Sequence, residues 1–300
     1  MKKVLLLLSF LTLVMISCQK NEPGIFKSKR ITQIETTVNE QPYIIERIVY
    51  KNDKIEASDF SIDTSVDTGG SVVDGDVNID PEVSDQIDNI GNSLGDFSSF
   101  EDFTGYQLYF KYNKNKLDKI TLKTTINDMP FSLSPTLSLS KKGLVENLKI
   151  SLLGVANMNC DFKYENNKIT SMKTNVSISI ADVEASGNIK LTYKNGSATD
   201  ANVYVNDEMM AKVKFNYSNT KNKSRIPNPL LGNNSFALLY SGFAGEAEDY
   251  LISSIDYYSS TDEYISSTVY NYEIDDDGYV MSYWYENDDK TIVTTLTYNE

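Results

Sequence analysis

Histidine is absent from all 300 residues of this chain. That absence removes Ser-His-Asp and Cys-His nucleophile systems, His-ligated zinc and imidazole acid–base work together. Cysteine is nearly absent as well, with Cys18 and Cys160 the only two. Cys18 has another use, argued below, so Cys160 is left without a partner and no disulfide framework is expected. Basic residues vanish between Ile55 and Phe110, where 13 acids stand without one Lys or Arg. Long apolar runs are missing too. The longest, Val4 to Ile16, is 13 residues, short of the roughly 20 that a helix needs to cross a bilayer.

That run nevertheless has a meaning. Lys2 and Lys3 precede it and Met15-Ile16-Ser17-Cys18 ends it, the order of a signal peptide. A small residue directly before a cysteine resembles a lipobox, in which the thiol takes a diacylglycerol and the leader is cleaved. Residues 1–17 are therefore read as a lipoprotein signal peptide, Cys18 as the acylated first residue, and 18–24 as a polar tether. Each buried CH₂ contributes about 0.8 kcal/mol, so two or three acyl chains hold a protein on a bilayer throughout its life. Gln19-Lys20-Asn21-Glu22 resembles the export tag of outer-membrane lipoproteins, which implies a cell-surface or periplasmic-face location.

Cleavage after Ser17 removes two lysines and no acid, leaving 26 bases against 42 acids, net −16. Such a balance argues against nucleic acid and against electrostatic docking on anionic lipid. The remaining length can bury roughly three quarters of its unfolded surface in one core. A single domain over 25–300 is expected, as a monomer.

Alternation of period two dominates the pattern. Val213, Phe215 and Tyr217 share one face of their segment, opposite Lys212, Lys214 and Asn216. Ile189, Leu191 and Tyr193 alternate likewise, and Met172, Thr174, Val176, Ile178 and Ile180 extend the pleat of half-buried antiparallel strands. Turns share a signature: Tyr50-Lys51-Asn52, Tyr112 with Asn115-Lys116, Tyr164 with Asn166-Asn167-Lys168, and Tyr193-Lys194-Asn195-Gly196. Asn and Gly tolerate the positive φ of tight hairpins, so each reads as strand, turn, strand. The acidic stretch, about 61–104, reads as an insertion between hairpins, with Pro81 opening a short helix through Leu94. Such a loop costs only about 2 kcal/mol more in closure entropy than a four-residue turn. A second interruption, Ser218 to Tyr250, contains Pro227 and Pro229 and a candidate short helix over 235–243.

The C-terminal third carries a resemblance. Phe215-Asn216-Tyr217-Ser218, Thr220-Lys221-Asn222-Lys223, Ser253-Ser254 and Tyr270-Asn271-Tyr272 running to Gly278-Tyr279-Val280 are similar to an uncharacterised family of secreted Gram-negative lipoproteins, a domain of unknown function described with a porin-like fold. The resemblance implies an all-β fold, an antiparallel β-meander curling into a barrel or half-barrel, and no activity. A membrane-spanning barrel is rejected, because Lys, Asn, Asp and Thr occupy the face that lipid would need apolar.

Chemical motifs are weak. Gly91-Asn92-Ser93-Leu94-Gly95 spells a nucleophile elbow but lacks the histidine it needs, and Ser138 with Lys141 matches S-x-x-K outside a helix start. Asp74, Asp76, Asn78, Asp80, Glu82 and Asp85 have calcium-loop spacing, though Ile79 replaces the turn glycine and Asp85 the bidentate glutamate. Glu273 to Gly278 imitates the same loop and reads better as a hairpin turn. Cys160, between Met158 and Phe162 on an apolar face, reads as core. Tyr257, Tyr258, Tyr264, Tyr270, Tyr272, Tyr279, Tyr283, Tyr285 and Tyr298 crowd the tail beside Trp284, as a sugar-stacking platform or as cover for a sheet. No catalytic, cofactor or metal residue is assigned.

Three functions stay open: a non-enzymatic envelope module binding a glycan or an envelope protein, a carrier with an apolar ligand inside a half-barrel, and a histidine-independent glycosidase. A packed interior favours the first, an open apolar cavity the second, and two carboxylates facing across a cleft the third.

Overall fold

In the computed structural model the described residues are 29–299, apart from 53, 64, 67–104, 114–115, 127–128, 153–155, 179–182, 230–244 and 288. Among these residues the pleat read from the sequence becomes eighteen strands. The first six are β1 (Ile31–Val38), β2 (Gln41–Lys51), β3 (Lys54–Ile62), β4 (Gly105–Asn113), β5 (Lys116–Ile126) and β6 (Met129–Leu133). Then come β7 (Thr136–Leu139), β8 (Val145–Leu152), β9 (Ala156–Glu165), β10 (Lys168–Ile178), β11 (Val183–Lys194) and β12 (Ser197–Val205). The last are β13 (Glu208–Lys221), β14 (Tyr250–Ser259), β15 (Tyr264–Val269), β16 (Asn271–Ile274), β17 (Val280–Asn287) and β18 (Lys290–Tyr298).

Every pairing is antiparallel, in two nine-stranded sheets. Sheet A runs β16-β17-β18-β1-β2-β3-β4-β5-β6, and sheet B runs β15-β14-β13-β12-β11-β10-β9-β8-β7. The meander is therefore cyclic, and β1 closes on β18 through Ile34 opposite Leu296. The sheets meet where one strand changes partners half-way. β6 pairs with β5, two residues intervene, and β7 pairs with β8. Pro135 sits in that gap, and its missing N–H interrupts a ladder. At the other corner only Tyr270 separates β15, paired with β14, from β16, paired with β17. Two bent strands, not a continuous ladder, thus join the sheets, and they do not close into a hydrogen-bonded barrel.

Turns alternate between two rims. The lower rim carries the start of β1 and the turns at Asn52, Ser140–Leu144, Asn166-Asn167, Asn195-Gly196, Asn222–Asp249 and Asp275–Tyr279. The upper rim carries Asn39-Glu40, Asn206-Asp207 and Ser259–Glu263, and both ends of the acidic insertion, Ile62 and Gly105, leave from it. Asparagine serves as the composition suggests. Asn166 and Asn167 have φ of 50° and 65°, and Asn195-Gly196 has 52° and 81°, the mirror-image geometry that matches strand twist. β3 runs on to Ile62, so the insertion starts slightly later than the composition shift indicates. The calcium-like loop at Asp74, the elbow at Ser93 and both candidate helices lie outside the described residues.

Inward side chains of the two sheets form one apolar cluster. Ile34 and Leu108 come from sheet A, Cys160 and Ile255 from sheet B, and all four are fully buried. Cys160 sits opposite Leu148 and Thr174, with its thiol 3.6 Å from Thr174 Oγ1, a core position closed to reagents. The tail tyrosines divide: Tyr270 and Tyr283 are buried, Tyr257, Tyr272, Tyr285 and Tyr298 pack against the core, and Tyr264 is 61 % exposed. Most of these tyrosines are thus inside, in a structural role rather than on a sugar-stacking platform, because the pleat turns them inward.

Candidate functional site

The inward side chains of both sheets pack into one apolar cluster, and an open depression lies on the outside of sheet B. Outward side chains of β7 to β11, with Asn206 and Asp207, line a trough of about 840 Å³. Strand register builds its floor in rows. Lys149 on β8 faces Asn159 on β9, Asn159 faces Asn175 on β10, and Asn175 faces Ser186 on β11. The next row is Ser151, Asn157, Ser177 and Glu184. Neighbouring strands stand about 4.8 Å apart, so each row is a regular ladder of short polar groups ending in a charge, Lys149 in one and Glu184 in the other.

Some of these groups are held and some are not. Asn147 Nδ2 donates to Asn159 Oδ1 at 2.8 Å and to Asp161 Oδ1 at 2.7 Å, and Asn159 Nδ2 donates to Asp161 Oδ2 at 2.9 Å. Asn206 Oδ1 accepts the Ser186 amide at 2.9 Å. Lys173 reaches Asp207 at 3.5 Å, which balances the local charge. Among the described residues, the side chains of Ser151, Asn157, Asn175 and Ser177 meet no protein partner. Side-chain amides and hydroxyls offer donor and acceptor together, which suits a ligand with the same mixture. Farther along this face, Lys190 covers the ring of Tyr204 at 4.4 Å, and Tyr258 meets Tyr264 edge-on at 5.8 Å. The polar face looked like ordinary solvated surface in the sequence. Only the register shows that these four side chains from three strands converge.

The lower rim is closed by tyrosines. The hydroxyls of Tyr50, Tyr112, Tyr164 and Tyr298 donate to the carbonyls of Ile31, Ile55, Val145 and Val280, each at the start of the preceding strand, over 2.6–3.0 Å. Tyr272 does the same to Ile252 across the corner between sheets, at 2.7 Å. Burial pushes Tyr283 and Tyr298 up to about 12. Glu248 reaches into this base, 5 % exposed, and accepts the Ala198 amide at 3.0 Å. Burial holds its carboxyl above the usual range, against the pull of the Ala198 amide, Lys168 and Asn228. Lys168 binds the Ala247 carbonyl at 2.8 Å and Asp249 at 3.1 Å. A second buried acid, Glu46, accepts from Ser58 at 2.8 Å. Neither acid lines the trough.

The other sequence motifs find places. Ser138 and Lys141 lie at the end of β7 and in the following turn and do not line the trough. Two acids of the Glu273–Gly278 loop are engaged by a lysine: Lys29 meets Asp275 at 2.6 Å and Asp277 at 2.9 Å, and Asp275 Oδ1 accepts the Tyr279 amide at 2.8 Å. Gly278, at φ 85°, completes a hairpin turn there. Among the described residues no three acids or cysteines group as a metal site.

No family model and no curated protein matches the chain. Solved structures do match. A porin-like protein from Bacteroides uniformis is 14 % identical, with a TM-score of 0.56 over 90 % of this chain and 98 % of that one. A porin-like protein from Bacteroides vulgatus is 12 % identical, with a TM-score of 0.47 over 90 % of this chain and 99 % of that one. At such identity the likeness concerns fold alone, and the chain shares the porin-like fold of the first of them.

Proposed function

We propose that the protein is a non-enzymatic module of the cell envelope, anchored through acylated Cys18, that binds glycan in the trough of sheet B. The observation that carries the reading is the convergence of Ser151, Asn157, Asn175 and Ser177, four polar side chains without partners among the described residues, in one depression of about 840 Å³. Polyhydroxyl ligands pair with such amides through both donor and acceptor, and the balanced Lys173 and Asp207 suit an uncharged one. The apolar cluster packed between the described sheets supports a ligand on the outer face over an enclosed apolar one. The acids Glu46 and Glu248 sit in separate hydrogen-bonded settings, which does not favour a glycosidase pair.

Titration calorimetry against neutral oligosaccharides of the envelope tests the binding. The Asn157→Ala/Asn175→Ala variant should bind about tenfold or more weakly, at roughly 1 kcal/mol per lost hydrogen bond. Unchanged affinity in the variant, or no oligosaccharide bound by the parent, ends the glycan reading. The anchor has its own check. Mass spectrometry of membrane-extracted protein should find Cys18 first and carrying a diacylglyceryl mass, and a mature chain starting elsewhere would remove it.

A further inference from the structure

Net charge hides a segregation along the axis of the molecule. Every second turn lies on the lower rim, and there Lys141, Lys142, Lys194, Lys221, Lys223 and Arg225 are exposed. Several are held by neutral partners that leave the charge uncompensated. Lys142 donates to Asn167 Oδ1 at 3.0 Å, Lys223 to the Asp277 carbonyl at 2.7 Å, and Lys221 lies 3.9 Å over the Tyr250 ring. Acids on this rim are partly spent within it, Asp249 on Lys168 and Asp275 and Asp277 on Lys29, while Glu165, Glu246 and Asp276 remain, fewer than the exposed bases. The opposite rim carries Glu40, Asp207, Glu208, Asp262 and Glu263 in its turns, and the acidic insertion starts and ends there.

The chain also leaves for Cys18 from the basic rim, because Lys29 and Arg30 precede β1 there. Ten residues separate Cys18 from Lys29, a reach of at most about 35–40 Å. We propose that the lower rim docks on the anionic headgroups of the bilayer to which the chain is tethered, and so fixes the molecule upright with its acidic rim away from the membrane. The eleven residues of β2 put the rims roughly 35 Å apart, against a screening length of about 8 Å at physiological salt. The acidic rim is therefore screened from the surface, and a net charge of −16 on the cleaved chain does not prevent docking. Each lysine at such a surface strengthens attachment roughly fivefold.

The test uses the full acylated chain inserted in vesicles through its N-terminus, labelled at Glu165→Cys on the lower rim or Glu208→Cys on the upper. Cys160 is buried and takes no label. Vesicles are phosphatidylcholine alone or with about 30 % phosphatidylglycerol, and a quencher is attached to the headgroups. Quenching at position 165 should rise about threefold with the anionic lipid and fall back in about 0.5 M salt, while position 208 stays unquenched. The Lys141→Glu/Lys142→Glu/Lys194→Glu/Lys221→Glu variant, altered only at exposed positions, should lose the rise and keep any oligosaccharide affinity. That second readout separates this surface from the trough. Equal quenching in neutral and anionic vesicles, a rise that survives the four reversals, or quenching at position 208 instead would overturn the proposal.

Discussion

Leu108→Ala is expected to lower the free energy of unfolding by about 3 kcal/mol, within the 2–5 kcal/mol that buried Leu-to-Ala changes cost. Leu108 is fully buried on β4, opposite Ser58 and Leu122 on its two neighbours, and belongs to the cluster shared by both sheets. The loss combines the transfer term of the removed methyl groups with a cavity that a close-packed interior cannot refill. Ile255→Ala on the facing sheet should cost a similar amount, since Ile255 is equally buried. Urea denaturation gives both values. Losses below about 1 kcal/mol at both positions would show instead an interior loose enough to hold a ligand, and would revive the carrier function.

Glu248→Ala should cost about 2 kcal/mol, because it leaves the Ala198 amide without its acceptor in a buried place. Glu248→Gln behaves differently, since an amide oxygen can still accept from Ala198. The sign of the pH effect follows from the direction of the shift. Burial raises the carboxyl above its unfolded value, so between the two values the native state holds the extra proton and stability falls as pH rises. Glu248→Gln should remove that fall and be relatively more stable toward neutral pH. Melting temperatures from pH 4 to 8 for parent and variant decide it. A parent and a variant with parallel profiles would mean that the amide and Lys168 already compensate the ionised form.

Much of the fold could be read in advance because antiparallel sheets write themselves locally. Alternation at Val213, Phe215 and Tyr217 reports the pleat, and Asn166-Asn167 or Asn195-Gly196 report turns that need positive φ. The corner at Pro135 was less legible, since a strand that changes partners has the same alternation as one that does not. The tyrosine that precedes each Asn-Lys turn was visible as a pattern, but its reason was not. Tyr164 is there to reach the carbonyl of Val145, nineteen residues back, a contact that depends on hairpin length. The trough was least legible of all. Asn157 and Asn175 are isolated polar residues in separate strands until the β9–β10 register places them on neighbouring rows. Axial charge, by contrast, had a usable signal: the Lys residues beside Asn52, Asn166-Asn167 and Asn195 fall in turns of one rim.

Pairing of β1 with β18 joins two strands more than 250 residues apart, with Ile31 opposite Tyr298. In time, this means that β1 waits for β18. Until residues near Leu296 have emerged, β1 and β17 present bare backbone edges that could pair with other chains. The final closure spans nearly the whole sequence, the kind of contact that makes folding slow. A chain truncated before Lys290 should therefore do more than lose one strand. It would keep β1 and β17 as further open edges permanently, and aggregation is its expected fate.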